Sequence, residues 1–301
     1  MVWLTAVAVW TLVFAGTFAV AQDLEPRVYS ASPVGTSFLQ FGFSRSHGDV
    51  VFDPTIPLTN VEATLYAPAV AVSHTFGLFG RQTLLSVGLP YVWGNISGDV
   101  GTQSATAYRS GLADLRLRYS VNLHGSPAQP PDKFARKART YIIATSLTVD
   151  VPSGQYGPSN LINIGTNRWA IKPELGFSYP IRKFDVDLYA GAWFFATNGS
   201  YYPGSATRSQ EPLTGVQAHF SYTVRRRLWV AFDSTWYGGG AVSVSGGPET
   251  SRLSNTRLGA TGSIPLPDQQ SIKLAYSTGV YGRIGASFNT VTVSWQKTWL
   301  R

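Results

Sequence analysis

The chain has 301 residues, no cysteine and 13% charged residues, against roughly 25% in a soluble domain. The lack of cysteine excludes a disulfide-stabilised fold, and the neutral mean hydropathy excludes a bundle of apolar membrane helices. Few charges, 13% aromatic residues and thirty glycines are instead typical of a transmembrane β-barrel. The net charge of +8 comes with no RNA-binding motif, so we expect no nucleic-acid partner.

The first residues have the pattern of a secretion signal. Residues 2–20 carry no charge, and Ala19-Val20-Ala21 has the small-x-small form of a cleavage site. We therefore predict a signal peptide over residues 1–21 and a mature chain that starts at Gln22. No Lys or Arg precedes the apolar run, so an uncleaved membrane anchor is the alternative.

The stretch Ala113–Leu123 shows the strand pattern most clearly. Its apolar and polar side chains alternate with a period of two, which only an extended strand has. About ten such residues, tilted, span a bilayer, with one face toward lipid and the other toward a polar interior. A half-buried strand of a soluble sandwich would alternate in the same way. The number and length of such strands therefore distinguish a soluble sandwich from a transmembrane barrel.

About twelve stretches of this kind follow an irregular, proline-bearing segment at residues 22–34. They lie at 36–46, 65–76, 85–93, 113–123, 140–151, 167–179, 186–196, 215–224, 228–237, 257–264, 272–280 and 290–299. Longer loops are expected at 47–60, 95–111, 152–166, 198–212 and 238–254, with mostly short turns between them. The sequence thus predicts an all-β protein, a closed antiparallel barrel over residues 35–301 in the outer membrane of a Gram-negative bacterium. Its expected partners are outer-membrane lipid, a small-molecule solute and, during insertion, the barrel-assembly machinery.

The side chains on the polar face of these strands form the candidate site. The residues predicted to line the interior are Asp114, Arg116, Arg118, Asp150, Arg168, Lys172, Glu174, Asp187, Tyr189, Trp193, His219, Asp233, Tyr237, Arg257 and Lys273. A charge facing lipid costs a few kcal/mol, so the charged members are expected inside. Two interpretations stay open: the charges select which solutes pass, or they pair and brace a filled lumen. Cationic groups beside aromatic rings would suit aromatic carboxylates.

No catalytic or metal-binding arrangement is evident. The four histidines have no partner at metal-ligand spacing, so neither a metal nor a cofactor is expected. His219 and Ser221 point the same way, but no G-x-S-x-G motif is present. Passive passage of small molecules is therefore the leading interpretation, and an enzyme is not expected. A phospholipase-like barrel and a structural or adhesion barrel are the alternatives.

Several motifs resemble the meta-pathway phenol degradation family of outer-membrane proteins. They are EPRVYSASPVG (25–35), GDVVFDP (48–54), GLADLRLRYSVNLHGSPA (111–128), PSGQY (152–156), NIGTNRWAIKPELG (163–176) and TRSQEPL (207–213). The resemblance implies a transporter-like barrel that aids entry of aromatic or other small hydrophobic compounds. It brings no catalytic residue with it.

Overall fold

The computed structural model describes residues 24–51, 58–100, 103–136, 138–282 and 285–300. The predicted signal peptide and its cleavage site lie outside these residues. Within them, no helix has the length and apolar character needed to cross a membrane.

The described residues form sixteen strands and one short helix. The strands are β1 (Thr36–Val51), β2 (Leu58–Leu78), β3 (Arg81–Val100), β4 (Gln103–Leu112), β5 (Leu115–His124), β6 (Ile142–Val151), β7 (Ala170–Ile181), β8 (Phe184–Phe195), β9 (Asn198–Tyr201), β10 (Ala206–Gln210), β11 (Leu213–Arg225), β12 (Leu228–Gly239), β13 (Val242–Val244), β14 (Leu253–Leu266), β15 (Gln270–Gly282) and β16 (Gly285–Leu300). The helix, α1 (Pro131–Phe134), lies in the connection between β5 and β6.

The main sheet closes on itself, because β1 pairs antiparallel with both β2 and β16. Strands β4 and β5 share one position in the barrel, since β5 pairs with the first half of β3 and β4 with its second half. The result is a closed antiparallel barrel of 12 strand positions, which confirms the predicted fold. Strands β9, β10 and β13 form a separate small sheet in the long connections.

The barrel has an apolar outer surface and a polar interior. Outward side chains such as Leu175 and Phe232 are 62% and 55% exposed, as suits residues that meet lipid. Many buried residues are polar or charged and lie on the opposite parity. Exposed aromatic rings occur toward both ends of the strands, for example Tyr179 near a short turn and Trp236 near a long connection. Such rings mark the two membrane interfaces.

Two predicted loops are wrong in large part. Residues 95–111 mostly continue β3 and form β4, and residues 47–60 contain the ends of β1 and β2. The Gly, Ser and Thr content of 95–111 suggested a loop, but cross-strand pairing from Tyr91↔Leu112 to Val100↔Gln103 makes it a hairpin. At about 3.3 Å per residue, the 21 residues of β2 extend to roughly 70 Å, about twice what a membrane-spanning strand needs. This side of the barrel therefore projects beyond the bilayer.

The residue Asp114 lies at a break in the wall, between β4 and β5. The predicted strand over 113–123 therefore begins two residues late, at Leu115. The Asp114 carboxylate accepts hydrogen bonds from the backbone N–H groups of Gly154 and Thr166, both at 2.9 Å, and from the Thr166 hydroxyl. Its carboxylate thus anchors the connection over residues 152–166.

Candidate functional site

Residues 24–35, which we call the lumen segment, run inside the barrel. They enter from the end that holds both Thr36 and Leu300, where the short turns also lie. The segment contacts strands on different sides of the wall, including β3 through Ser32 and β8 through Arg27. The sequence predicts an irregular segment at residues 22–34, and strand parity gives no indication of its place inside the lumen.

Arg27 attaches the lumen segment to β8 and β11. Its backbone N–H donates to Asp187 at 3.1 Å, and its guanidinium donates to Asp185 and Ser221, both at 2.8 Å. A further bond of 2.8 Å reaches Thr223. Charge-assisted bonds of this kind are among the stronger ones in proteins, so Arg27 holds the segment firmly near the turn end.

Tyr29 attaches the segment to the neighbouring strands β6 and β7. Its hydroxyl donates to Glu174 at 2.8 Å and hydrogen-bonds Ser146 at 2.8 Å. Its ring contacts the ring of Tyr189 edge-on, with centroids 5.0 Å apart. A Cβ on Gly176 would lie 2.3 Å from the Tyr29 ring, so only glycine leaves room for it. The wall is therefore shaped to receive this side chain.

Glu25 lies deepest among the three anchors and meets a group of cations. Its carboxylate accepts a hydrogen bond from Arg118, which also pairs with Glu174 at 3.0 Å. Lys172 pairs with Glu174 at 2.9 Å. The lumen segment thus brings its own carboxylate to a cationic part of the wall.

At the depth of Glu25, the barrel wall combines charges and aromatic rings. We call this part of the lumen, lined by Arg116, Arg118, Lys172, Trp193 and Tyr237, the narrow level or charged level. Arg116 pairs with Asp150 at 2.8 Å, and both Arg116 and Lys172 lie 5.5 Å from the Trp193 ring centroid. A cavity of about 30 Å³ lies between Glu25, these cations, Trp193 and Tyr237. It has room for about one water molecule, whereas a benzene-sized ligand needs on the order of 150 Å³.

A much larger cavity lies toward the turn end. Its volume is about 1150 Å³, and the lumen segment forms one of its walls. Arg118, Ser120 and Lys273 are among the barrel residues that line it. The structure therefore has a wide vestibule at the turn end and a much smaller cavity beside Glu25.

Other candidates from the sequence lie inside the barrel but serve as braces. The His219 imidazole and the Asp233 carboxylate are 2.7 Å apart and fully buried, and Asp233 also accepts a bond from Thr261 at 2.6 Å. Arg257 donates to Ser277 at 2.8 Å and to the Phe288 carbonyl at 3.0 Å. These contacts favour the bracing interpretation for this part of the wall.

The structure places Arg168 apart from the charged level, in the outer connections just before β7. The serine nearest in sequence to His219, Ser221, accepts a bond from Arg27 instead of joining the histidine. Within the described ranges, no group of His, Cys, Asp and Glu residues is arranged to hold a metal ion.

Sequence reasoning missed the residues of the lumen segment and the residues that seat it. Glu25, Arg27 and Tyr29 lie before the first strand, where strand parity gives no information. Gly176 lies on the face of β7 that points into the lumen, but it has no functional side chain that would have singled it out. A possible signal was the density of Glu, Arg and Tyr within so short a segment, which is unusual for a simple leader to a strand.

Comparison with solved structures supports the fold. The COG4313 outer membrane channel from Pseudomonas putida F1 matches with a TM-score of 0.76 at 18% identity, over 92% of this chain and 100% of that chain. The β domain of the Bordetella autotransporter BrkA matches with a TM-score of 0.53 at 12% identity, over 88% of this chain and 100% of the other. At such identities these likenesses show the fold alone. No curated protein matches the sequence.

A family model matches residues 41–295, which is most of the chain and confirms the family resemblance of its motifs. The match includes all strands from the middle of β1 to the middle of β16. The chain therefore belongs to the family described as "Putative MetA-pathway of phenol degradation".

Proposed function

We propose that the protein is an outer-membrane channel for passive entry of small aromatic or hydrophobic compounds, and that it is not an enzyme. The family description names phenol degradation, and the structural neighbour from Pseudomonas putida F1 is an outer membrane channel. The observation that carries the proposal is the narrow level where charged groups meet Trp193 and Tyr237, directly beside the wide vestibule. A passing solute meets both aromatic surface and fixed charge there.

The lumen segment sets the width of this passage. With Glu25 in place, the cavity beside it is far smaller than an aromatic ring requires. On this proposal, a solute of this size passes when Glu25 and its neighbours move aside. Passage then depends on breaking the Glu25–Arg118 ion pair and on partial release of the segment.

The charges at the narrow level favour anions once Glu25 has moved. The cations there are Arg116, Arg118 and Lys172, and the wall carboxylates that pair with them are Asp150 and Glu174. Removing Glu25 leaves more positive than negative groups, which attracts a carboxylate. Aromatic acids combine this charge with a ring that packs against Trp193, so we propose them as the preferred solutes.

A planar-bilayer experiment tests the proposal. Wild-type protein should conduct ions, and the reversal potential in a salt gradient should indicate anion preference. The double variant Arg116→Ala, Arg118→Ala should reduce that preference and slow entry of benzoate into proteoliposomes. It should still insert, because neither side chain faces lipid. A wild-type protein that admits neither ions nor benzoate would contradict the proposal.

The enzyme alternative has a separate assay. A phospholipase needs a serine activated by its histidine, yet Ser221 accepts a hydrogen bond from Arg27, and His219 Nε2 has no hydrogen-bond partner among the described residues. We therefore expect no fatty-acid release from phospholipid vesicles by the inserted protein. Release that is abolished by Ser221→Ala would establish the enzyme instead.

A further inference from the structure

Two arginines lie within interaction range of each other in the outer connections. Arg168 comes just before β7, and Arg208 lies on β10 of the small sheet. Both are only 3% exposed. The Arg168 guanidinium lies 4.4 Å from the Phe195 ring centroid, and that of Arg208 lies 5.8 Å from Tyr201. Aromatic faces therefore cover part of each cation.

The hydrogen bonds of this pair are incomplete. Arg168 donates one bond, to the side chain of Gln210, while its Nε and Nη1 have no acceptor among the described residues. The Nε of Arg208 likewise has none in the part of the chain that the structure describes. Within the same residues, no carboxylate lies within 4.0 Å of either guanidinium.

The electrostatics of the pair are unfavourable as they stand. Burial lowers the pKa of both side chains, and the charge of Arg208 lowers the pKa of Arg168 further. The charge of Asp114 raises the pKa of Arg168. The Asp114 oxygens, however, already accept hydrogen bonds from Gly154 and Thr166. A guanidinium does not give up its proton in proteins, so the buried positive charge needs an anion from outside.

We propose that Arg168 and Arg208 bind an oxyanion, the carboxylate of an aromatic acid, at the outer end of the channel. The free N–H groups of guanidinium match the paired oxygens of a carboxylate. Phe195 stacks on Trp193 with centroids 6.5 Å apart, so an apolar surface runs from this pair toward the narrow level. The choice of an aromatic acid rests on the proposed function, whereas the oxyanion chemistry does not. Inorganic phosphate shares that chemistry.

Binding to the full-length protein in detergent tests this site without any membrane passage. Benzoate and inorganic phosphate are titrated separately, and thermal unfolding and tryptophan fluorescence are followed, with the neutral amide benzamide as control. We expect a saturable rise in Tm with benzoate and none with benzamide. Saturation by phosphate alone would support the oxyanion site with phosphate as its occupant. No saturable effect of either anion would overturn the proposal, even if the channel conducts.

Two variants separate anion binding from a purely structural role. Arg208→Gln should weaken the anion effect at least tenfold, while Arg252→Gln, an exposed arginine of the outer connections, should leave it unchanged. At low salt without oxyanion, Arg208→Gln should raise Tm, because it removes one of two repelling charges. A lower Tm together with unchanged anion binding would refute the proposal. If Arg208→Gln does not fold, Arg168→Gln provides the same comparison.

Discussion

Replacing Gly176 by valine should open the narrow part of the lumen. Any Cβ at this position would lie 2.3 Å from Cε2 and 2.4 Å from Cδ2 of Tyr29, which is too close for the two groups to coexist. The atoms belong to the ring itself and the wall behind it is a continuous strand, so Tyr29 must leave its seat. Valine suits a strand, and the barrel wall should persist.

The loss of binding free energy can be worked out from the contacts. Burial of a tyrosine removes about 150–250 Å² from water, which corresponds to roughly 4–6 kcal/mol as an upper value. The bonds of its hydroxyl to Glu174 and Ser146 add about 1 kcal/mol each. Without the Tyr29 anchor, mainly the Arg27 bonds hold this part of the segment, so we expect Tyr29 and Glu25 to be displaced and the Arg27 bonds to open more often.

Single-channel conductance and limited trypsin digestion measure this displacement. Gly176→Val should conduct several-fold more than wild type and should be cut after Arg27, as mass spectrometry of the released peptide would show. Gly262→Val is the matched control, since no atom lies within 4 Å of a Cβ built there. If heat-modifiable, folded Gly176→Val keeps wild-type conductance and an uncut Arg27, the lumen segment does not limit the passage.

Three further outcomes are expected. Leu117→Arg should reduce insertion far more than Ser120→Arg, because an arginine facing lipid costs roughly 2–4 kcal/mol whereas Ser120 lines the vestibule. Equal yields of folded protein for the two variants would show that the two faces are misassigned. Glu25→Gln should raise both conductance and anion preference, as it weakens the tie to Arg118 and leaves the cations of the narrow level in excess, and an unchanged reversal potential would argue against that view. Asp114→Ala should increase proteolysis within residues 152–166, since three hydrogen bonds to that connection are lost, and protection equal to wild type would contradict its anchoring role.

Much of the barrel could be predicted because its constraint is local. Each spanning strand must present apolar groups to lipid on every second residue, and this parity is legible in stretches such as Leu115–His124 and Ile142–Val151. The extensions of β2, β3 and β4 lie beyond the bilayer, where no lipid imposes the pattern. Apolar and polar residues are therefore mixed there without regular alternation, and the sequence predicts loops instead of strands.

The candidate site was harder to predict because it depends on contacts between distant parts of the chain. Parity indicates that Arg118 and Glu174 point inward, but not that Glu25 reaches Arg118 from 93 residues away. Similarly, parity predicts Arg168 among the interior charges, whereas its neighbour Arg208 lies in the stretch 198–212, for which the sequence predicts a loop. The alternation of side chains along one strand carries no information about such long-range contacts.

The position of the lumen segment also constrains the order of assembly. The segment immediately precedes β1, and β1 completes the wall by pairing with β16, from Thr36↔Leu300 to Val51↔Gly285. This contact joins the first and last strands, and its sequence separation is the largest in the fold, which gives it the largest loop-closure cost. The anchors at Arg27 and Tyr29 bind strands β6, β7, β8 and β11, which lie on the far side of the ring. A nascent sheet that has already bound these side chains keeps β1 tethered to its middle strands, so the tether limits the distance that β1 can move away while the ring closes.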